Sequence, residues 1–145
     1  MYRSAAYVAE FHARSTAAAR ACVGEDYEIV LVNDGSPDDS LALAVGLANR
    51  DPHVVVLDLS RNFGHHRAMM TALEEARGAF VFLTDIDLEE APENLQRFWE
   101  YLAATPAADV VIGQIAIKKG GFFKRCLSGA FYRLFNYLSP VRISN

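Results

Sequence analysis

Two acidic motifs, each directly after an apolar run, are where this chain could do chemistry. Asp85 and Asp87 follow Phe80 to Leu83, and Asn33 and Asp34 follow Glu28 to Val32. A carboxylate at the C-terminal end of a buried strand lies on the rim of an α/β sheet, where ligands bind. In an extended segment Asp85 and Asp87 share one side, with Ile86 turned toward the core. Two carboxylates this close repel when empty. A hard cation with a preference for oxygen, Mg²⁺ or Mn²⁺, would relieve that and could in turn hold a diphosphate. The plainer reading of Asp87, Glu89, Glu90 and Glu93 is an acidic helix start that suits the helix dipole.

Asn33 and Asp34 open Asn-Asp-Gly-Ser. A rim Asp there can accept hydrogen bonds from a nucleobase or ribose. The plainer reading is an Asx turn before a helix capped by Asp38, Asp39 or Ser40. A second rim motif in the same sheet favours the ligand. Ser60 to His66 (SRNFGHH) follows another strand-like run and opens a helix, so its backbone N–H groups could face an anion. Arg61 adds a guanidinium suited to phosphate. His65 and His66 are adjacent, point apart on a helix and read as surface groups or as supports behind the site's own residues. Met69 and Met70 read as core filler.

These motifs need elements to hold them. Residues 4–20 are Ala-rich without Gly or Pro and predict a helix closed by Gly24. Strands are predicted at Tyr27–Val32, Val54–Leu59, Phe80–Thr84 and Val110–Gly113, with Ile117 as the outer limit of the last. Helices are predicted from Leu41 to Ala48, from His65 to Ala76 before Gly78, from Pro92 to Ala104, and from Phe122 to Leu138. Alternating strands and helices imply a mostly parallel sheet covered on both faces, in a single domain over residues 1–145.

The composition agrees. Hydrophobic residues make up 52% of the 145, enough for a core and too many for disorder. No apolar run reaches the ~18 residues of a spanning helix, and no signal-peptide pattern is present. Cys22 and Cys126 are isolated thiols, which fits a reducing compartment. The net charge of −4 hides a split. Residues 1–113 carry 8 basic and 18 acidic residues, whereas residues 114–145 carry six basic residues and no acid. An acidic body disfavours nucleic acid. The basic, aromatic segment 118–138, with an amphipathic helix over 120–138, suits either core packing or peripheral contact with anionic lipid.

At these residues the chain resembles family 2 glycosyltransferases of the GT-A fold, in the branch of dolichyl- and undecaprenyl-phosphate sugar transferases. YEIVLVNDGSPDDS is similar to that family's strand–DDGS segment, DLSRNFGHHRAMMTALEEARGAFV to its SRNFG–helix segment, and LTDIDLEEAPE to its DAD–LQ–PPE segment. The three motifs stand in order at matching intervals, and the resemblance runs from about Met1 to Asn145.

The resemblance implies a Rossmann-like GT-A sheet and inverting sugar transfer from a nucleotide-diphosphate donor. The implied acceptor is a polyprenyl phosphate or a cell-surface glycan precursor, at the inner face of the plasma membrane. It implies that Asp34 meets the base or ribose, with Asn33 where the family usually has Asp. Arg61 and Asn62 would line the donor site, Asp85 would touch nucleotide or metal, and Asp87 would be the principal ligand of Mg²⁺ or Mn²⁺. Tyr2 would belong to the base pocket, because Met1-Tyr2-Arg3 looks like the tail of a Pro-x-Tyr-Asn-like motif that ends the family's first strand.

That strand is absent from the chain. Its place would be central, between Tyr27–Val32 and Phe80–Thr84, leaving buried backbone unpaired. The ending VRISN looks like a lead-in to the acceptor-side segment, so the expectation is a chain truncated at both ends. Two other classes compete. A haloacid-dehalogenase-type phosphoryl transferase wants Thr or Val where Glu89 stands. A non-enzyme, either a nucleotide-binding fragment or a receiver-like Mg²⁺ module, would bind without transfer, and a receiver would rely on Lys118.

Overall fold

The computed structural model describes residues 1–113. The chain divides into two compact units, Met1–Val111 and Ile112–Asn145. The helix expected over 120–138 and the basic segment 118–138 lie outside the described residues.

The order is α1 (Val8–Val23), β1 (Ile29–Asn33), α2 (Ser40–Ala48), β2 (Val54–Asp58), α3 (His65–Glu75) and α4 (Asn94–Ala104). β1 and β2 pair in parallel, from Ile29 opposite Val54 to Asn33 opposite Asp58. Parallel neighbours need a crossover, and α2 supplies it. Phe11 of α1, Ile29 and Leu31 of β1, Ala44 of α2 and Val54 of β2 form the buried cluster. The result is a mixed α/β unit, a parallel sheet flanked by helices, as expected.

α1 ends where the sequence predicts. Gly24 takes φ 65°, and its N–H donates to the Arg20 carbonyl. The helix starts later than expected, at Val8. The N–H groups of Arg3, Ser4 and Ala5 donate instead to Ser36 Oγ, Ser40 Oγ and Asp38 Oδ2, at 2.8, 2.9 and 3.0 Å. Those bonds tie the N-terminal segment to the loop after β1. Asp38 also accepts from the Ser40 N–H, so it serves the start of α2 from two residues before.

Two expected strands are not strands. Among the described residues the sheet has two strands, and Phe80–Thr84 and Val110–Gly113 lie outside it. A ladder needs a neighbour with free N–H and C=O groups in reach. On the edge of β1 opposite β2, Met1 is the residue that pairs. Its amine donates to the Val32 carbonyl, and its carbonyl accepts from Asp34 N–H at 2.9 Å. That is the pattern of one parallel rung, in the lane where the sequence places a central strand. The Phe80–Thr84 segment is nonetheless extended, with exposed and half-buried residues alternating from Val81 to Leu88. Aromatic pairs anchor it to α4: Phe80 lies edge-on to Trp99 at 5.8 Å, and Phe82 lies 5.6 Å from Phe98.

Beyond the N-terminal ends of the strands, a polar cluster closes the sheet. Asp51 Oδ2 meets His12 Nε2 at 2.8 Å, and Oδ1 meets His53 Nδ1 at 2.9 Å. Tyr27 stacks on the His53 ring at 4.3 Å. The His53 backbone N–H, then the His12 ring, hold the Asp51 carboxyl down at about 2. A depressed carboxylate stabilises the fold above its unfolded value, and that contribution is lost as pH falls through the folded value. The Tm gap between wild type and Asp51→Asn is therefore expected to be fully open at pH 5 and to close between about pH 4 and 2. Thermal melts across that range check it; a gap independent of pH would show that the cluster does not act through this carboxylate.

Candidate active site

The C-terminal ends of β1 and β2 carry two loops locked to each other. In register at the strand ends, Asn33 Nδ2 donates to Asp58 Oδ1 at 2.8 Å. The Asn33 carbonyl accepts from Leu59 N–H at 2.9 Å, and its Oδ1 accepts from Ser36 N–H at 3.3 Å. Asp34 reaches across to the loop before α3. Its Oδ1 accepts from Phe63 N–H at 2.7 Å and its Oδ2 from Gly64 N–H at 3.0 Å. Gly35, at φ 60°, is where the loops touch. A Cβ there would lie 2.5 Å from both the Arg61 carbonyl carbon and the Asn62 nitrogen. Only glycine permits that approach.

Asn33 is 2% exposed and Asp34 4%. The sequence places both at the rim, and they are there, but their polar atoms are turned into the protein. Arg61 and Asn62 are exposed on the outside of the same loop, as a ligand-facing pair must be. The Arg61 guanidinium lies over the Phe63 ring at 4.8 Å, an arrangement that holds the cation in place. Tyr2 is half exposed, with Arg3 over its ring.

Asp85 and Asp87 are exposed while Ile86 and Leu88 are half-buried against the core cluster, with Ile86 and Asp87 in a turn and not in the extended segment expected. Asp87 Oδ1 accepts from Glu89 N–H at 2.9 Å, closing an Asx turn around Leu88 at φ 61°. A leucine in the left-handed region is strained, by about 1–2 kcal/mol. Its half-burial offsets that and holds the turn that aims Asp87 outward. Glu93, read from sequence as part of an acidic helix start, is the N-cap residue of α4 and also pairs with Arg14 of α1. Two bonds of 2.8 and 2.7 Å pin the chain after the turn, and Arg14 holds the Glu93 carboxyl at about 2.

One neighbour escaped the sequence. His65, the first residue of α3, puts Nδ1 3.6 Å from Asp85 Oδ1. The amine of Met1 lies in the same region. Burial pushes its pKa down, and the charges of Asp34 and then Asp85 pull it up.

Among the described residues no three His, Cys, Asp or Glu side chains converge as a metal cage. The donor set still fits Mg²⁺ or Mn²⁺. Such ions are held by one or two carboxylates together with substrate phosphates and water, not by an all-protein cage. Asp85 is 59% exposed and free to meet a ligand from solvent.

The comparisons converge on one family. The sequence profile of glycosyl transferase family 2 matches residues 1–141. A protein of Mycobacterium tuberculosis (strain CDC 1551 / Oshkosh) named as a glycosyltransferase is 50% identical over 133 residues, 92% of this chain and 38% of that protein. An uncharacterized glycosyltransferase of Bacillus subtilis (strain 168) is 33% identical over 121 residues, 82% of this chain and 36% of its own length. An undecaprenyl-phosphate 4-deoxy-4-formamido-L-arabinose transferase of Pectobacterium carotovorum subsp. carotovorum (strain PC1) is 38% identical over 117 residues, 79% of this chain and 35% of its own. The chain thus spans little more than a third of the length of these relatives. The chain belongs to glycosyl transferase family 2.

Proposed function

We propose that this chain forms the donor site of an inverting glycosyltransferase. The enzyme moves a sugar from a nucleoside-diphosphate donor to a polyprenyl phosphate or another cell-envelope glycan precursor. The observation that carries the reading is the exposed pair Asp85 and Asp87, set beside a loop that presents Arg61 and is fastened to β1. Asp85 and Asp87 hold Mg²⁺ or Mn²⁺, Asp87 as the principal ligand. The ion supplies Lewis acidity that neutralises the leaving diphosphate. Arg61 and Asn62 line the diphosphate side, and Tyr2 offers an aromatic face to the nucleotide. The acceptor class is supported by the undecaprenyl-phosphate transferases among the relatives. A phosphate acceptor is already anionic at neutral pH and needs little help from a base.

No helix among the described residues is long and apolar enough to cross a membrane. A lipid-linked acceptor places the reaction at the cytoplasmic face of the plasma membrane, with segment 118–138 as the candidate contact. A second reading, nucleotide binding without turnover, is favoured by the edge of β1 that pairs only with Met1 among the described residues. Calorimetric titration with UDP, GDP, dTDP and CDP, with Mn²⁺ and with chelator, tests the shared core of both readings. The expected result is one nucleotide bound only with metal. A folded chain that binds none of the four overturns the donor site, and sugar transfer by the purified chain excludes the second reading.

A further inference from the structure

We infer that Asp38 is a positioning residue for the donor's base: through Ser36 and Ser40 it fixes the chain that carries Tyr2. This rests on the donor-site reading above, in which Tyr2 faces the nucleotide. Three observations carry it. First, Asp38 Oδ1 accepts from the hydroxyls of Ser36 and Ser40, each at 2.5 Å. The two hydroxyl oxygens in turn accept from the N-terminal segment, Ser36 Oγ from Arg3 N–H at 2.8 Å and Ser40 Oγ from Ser4 N–H at 2.9 Å. Asp38 Oδ2 takes the next amide itself, Ala5 N–H at 3.0 Å. One carboxylate thus governs the successive amides just after Tyr2. Second, Arg3 has φ 54°, in the left-handed region. A non-glycine residue stays there only where its surroundings over-determine it. Third, the segment so held lies at the rim. The Met1 carbonyl accepts from Asp34 N–H at 2.9 Å, so Tyr2 departs from the end of β1. Its ring is 47% exposed, with the Arg3 guanidinium 5.6 Å from the centroid.

A serine hydroxyl can donate or accept, so two serines alone leave the direction of these bonds open. The carboxylate can only accept. It takes both hydroxyl protons and leaves both oxygens as acceptors for Arg3 and Ser4. Bonds to an ionised acceptor are also the stronger kind. Ser40 is 0% exposed and Ser4 6%, so no water replaces their bond if it breaks. An aromatic ring on a loose segment must be ordered when a ligand binds, which costs affinity. This network removes part of that cost in advance. A role at the start of α2 explains the bond from Ser40 N–H to Asp38, but none of the bonds that reach residues 3–5.

The test uses the full chain with Mg²⁺ and two probes. One is whichever of UDP, GDP, dTDP and CDP the wild type binds; the other is inorganic pyrophosphate, which has no base. Asp38→Ala is expected to weaken the nucleoside diphosphate by about 10-fold, the cost of ordering one side chain, and to leave pyrophosphate unchanged. Amide hydrogen exchange at Arg3 and Ser4 is expected to accelerate while Val55 and Leu57 in β2 stay protected. Tyr2→Ala is expected to weaken the nucleoside diphosphate at least as much. The double variant should lose no more than Tyr2→Ala alone, because Asp38 acts through that ring. Ser40→Ala removes the acceptor of Ser4 N–H and keeps the carboxylate. It is expected to show the same selective loss on a smaller scale, and it serves if Asp38→Ala fails to fold. Losses that add in the double variant, or an equal loss of pyrophosphate affinity, would overturn the inference, because Asp38 would then support only the fold. Wild-type nucleoside-diphosphate affinity in a folded Asp38→Ala chain would overturn it as well. A wild-type chain that binds neither probe, or a Tyr2→Ala chain with undiminished nucleoside-diphosphate affinity, would instead overturn the donor-site reading on which the positioning role depends.

Discussion

Gly35→Ala is expected to cost this protein a large part of its stability. Two independent penalties meet at one atom. The backbone at Gly35 has φ 60°, where an L side chain costs about 1–2 kcal/mol. The new Cβ would also stand 2.5 Å from the Arg61 carbonyl carbon and the Asn62 nitrogen, and 2.9 Å from the Arg61 Cα. Those are backbone atoms and cannot rotate away, so the overpacking adds about 1–3 kcal/mol. The combined loss of about 2–5 kcal/mol is serious for a domain whose whole stability is about 5–15. It corresponds to a Tm lowered by roughly 8–20 °C. The chain has one way out, which is to move the loop and break the Asp34 bonds to Phe63 and Gly64. Then nucleotide affinity falls too, and the buried carboxylate left without those bonds adds its own loss of Tm. A variant with wild-type Tm and wild-type nucleotide affinity would show that the two loops do not meet as described.

Asp87→Asn is expected to do the opposite, sparing the fold and removing the function. The amide oxygen of Asn can accept the Glu89 N–H as Asp87 Oδ1 does, so the turn around Leu88 survives. Ile86 and Leu88 stay packed on the core. Tm without ligand should change by no more than a surface substitution changes it, about ±0.5 kcal/mol. What is lost is the charge that holds a divalent cation. Removing a supporting partner of a metal ligand costs about 10–100-fold in affinity, and removing a principal ligand costs at least the upper end of that. Metal-dependent nucleotide binding should therefore fall by ~100-fold or more, with a smaller loss in Asp85→Asn. Calorimetry with Mn²⁺ reads both. Undiminished Mn²⁺-dependent binding by Asp87→Asn would remove Asp87 from the metal site.

The motifs were legible in the sequence because each couples a pattern to a place. Alternation predicted exposed Asp85 and Asp87 around an inward Ile86, and the structure has that alternation of exposure, through a turn at Ile86 and Asp87. The helices after Ser40 and His65 and the two parallel strands follow from apolar runs closed by turn residues. What could not be read was which polar groups the protein keeps for itself. Asn33 and Asp34 have the types and position of ligand contacts, yet their partners are Asp58, Phe63 and Gly64, from 24 or more positions along the chain. No spacing rule gives such a pairing, because it depends on how two loops pack. The same limit applies to His65, whose neighbour Asp85 is set by tertiary approach. It applies again to Glu93, which opens α4 as expected but whose tie to Arg14 depends on tertiary packing. The strand expected at Phe80–Thr84 had the right composition, but composition does not supply a partner strand.

The most direct test of the central claim is to locate the metal. Mn²⁺ broadens the NMR signals of nuclei near it. It would be titrated into the isotopically labelled chain with the preferred nucleoside diphosphate present. The account predicts selective loss of the Asp85, Asp87 and His65 amide signals, extending to the Arg61 loop. Broadening centred on the His12, Asp51 and His53 cluster, at the other end of the strands, with Asp85 and Asp87 untouched, would contradict it.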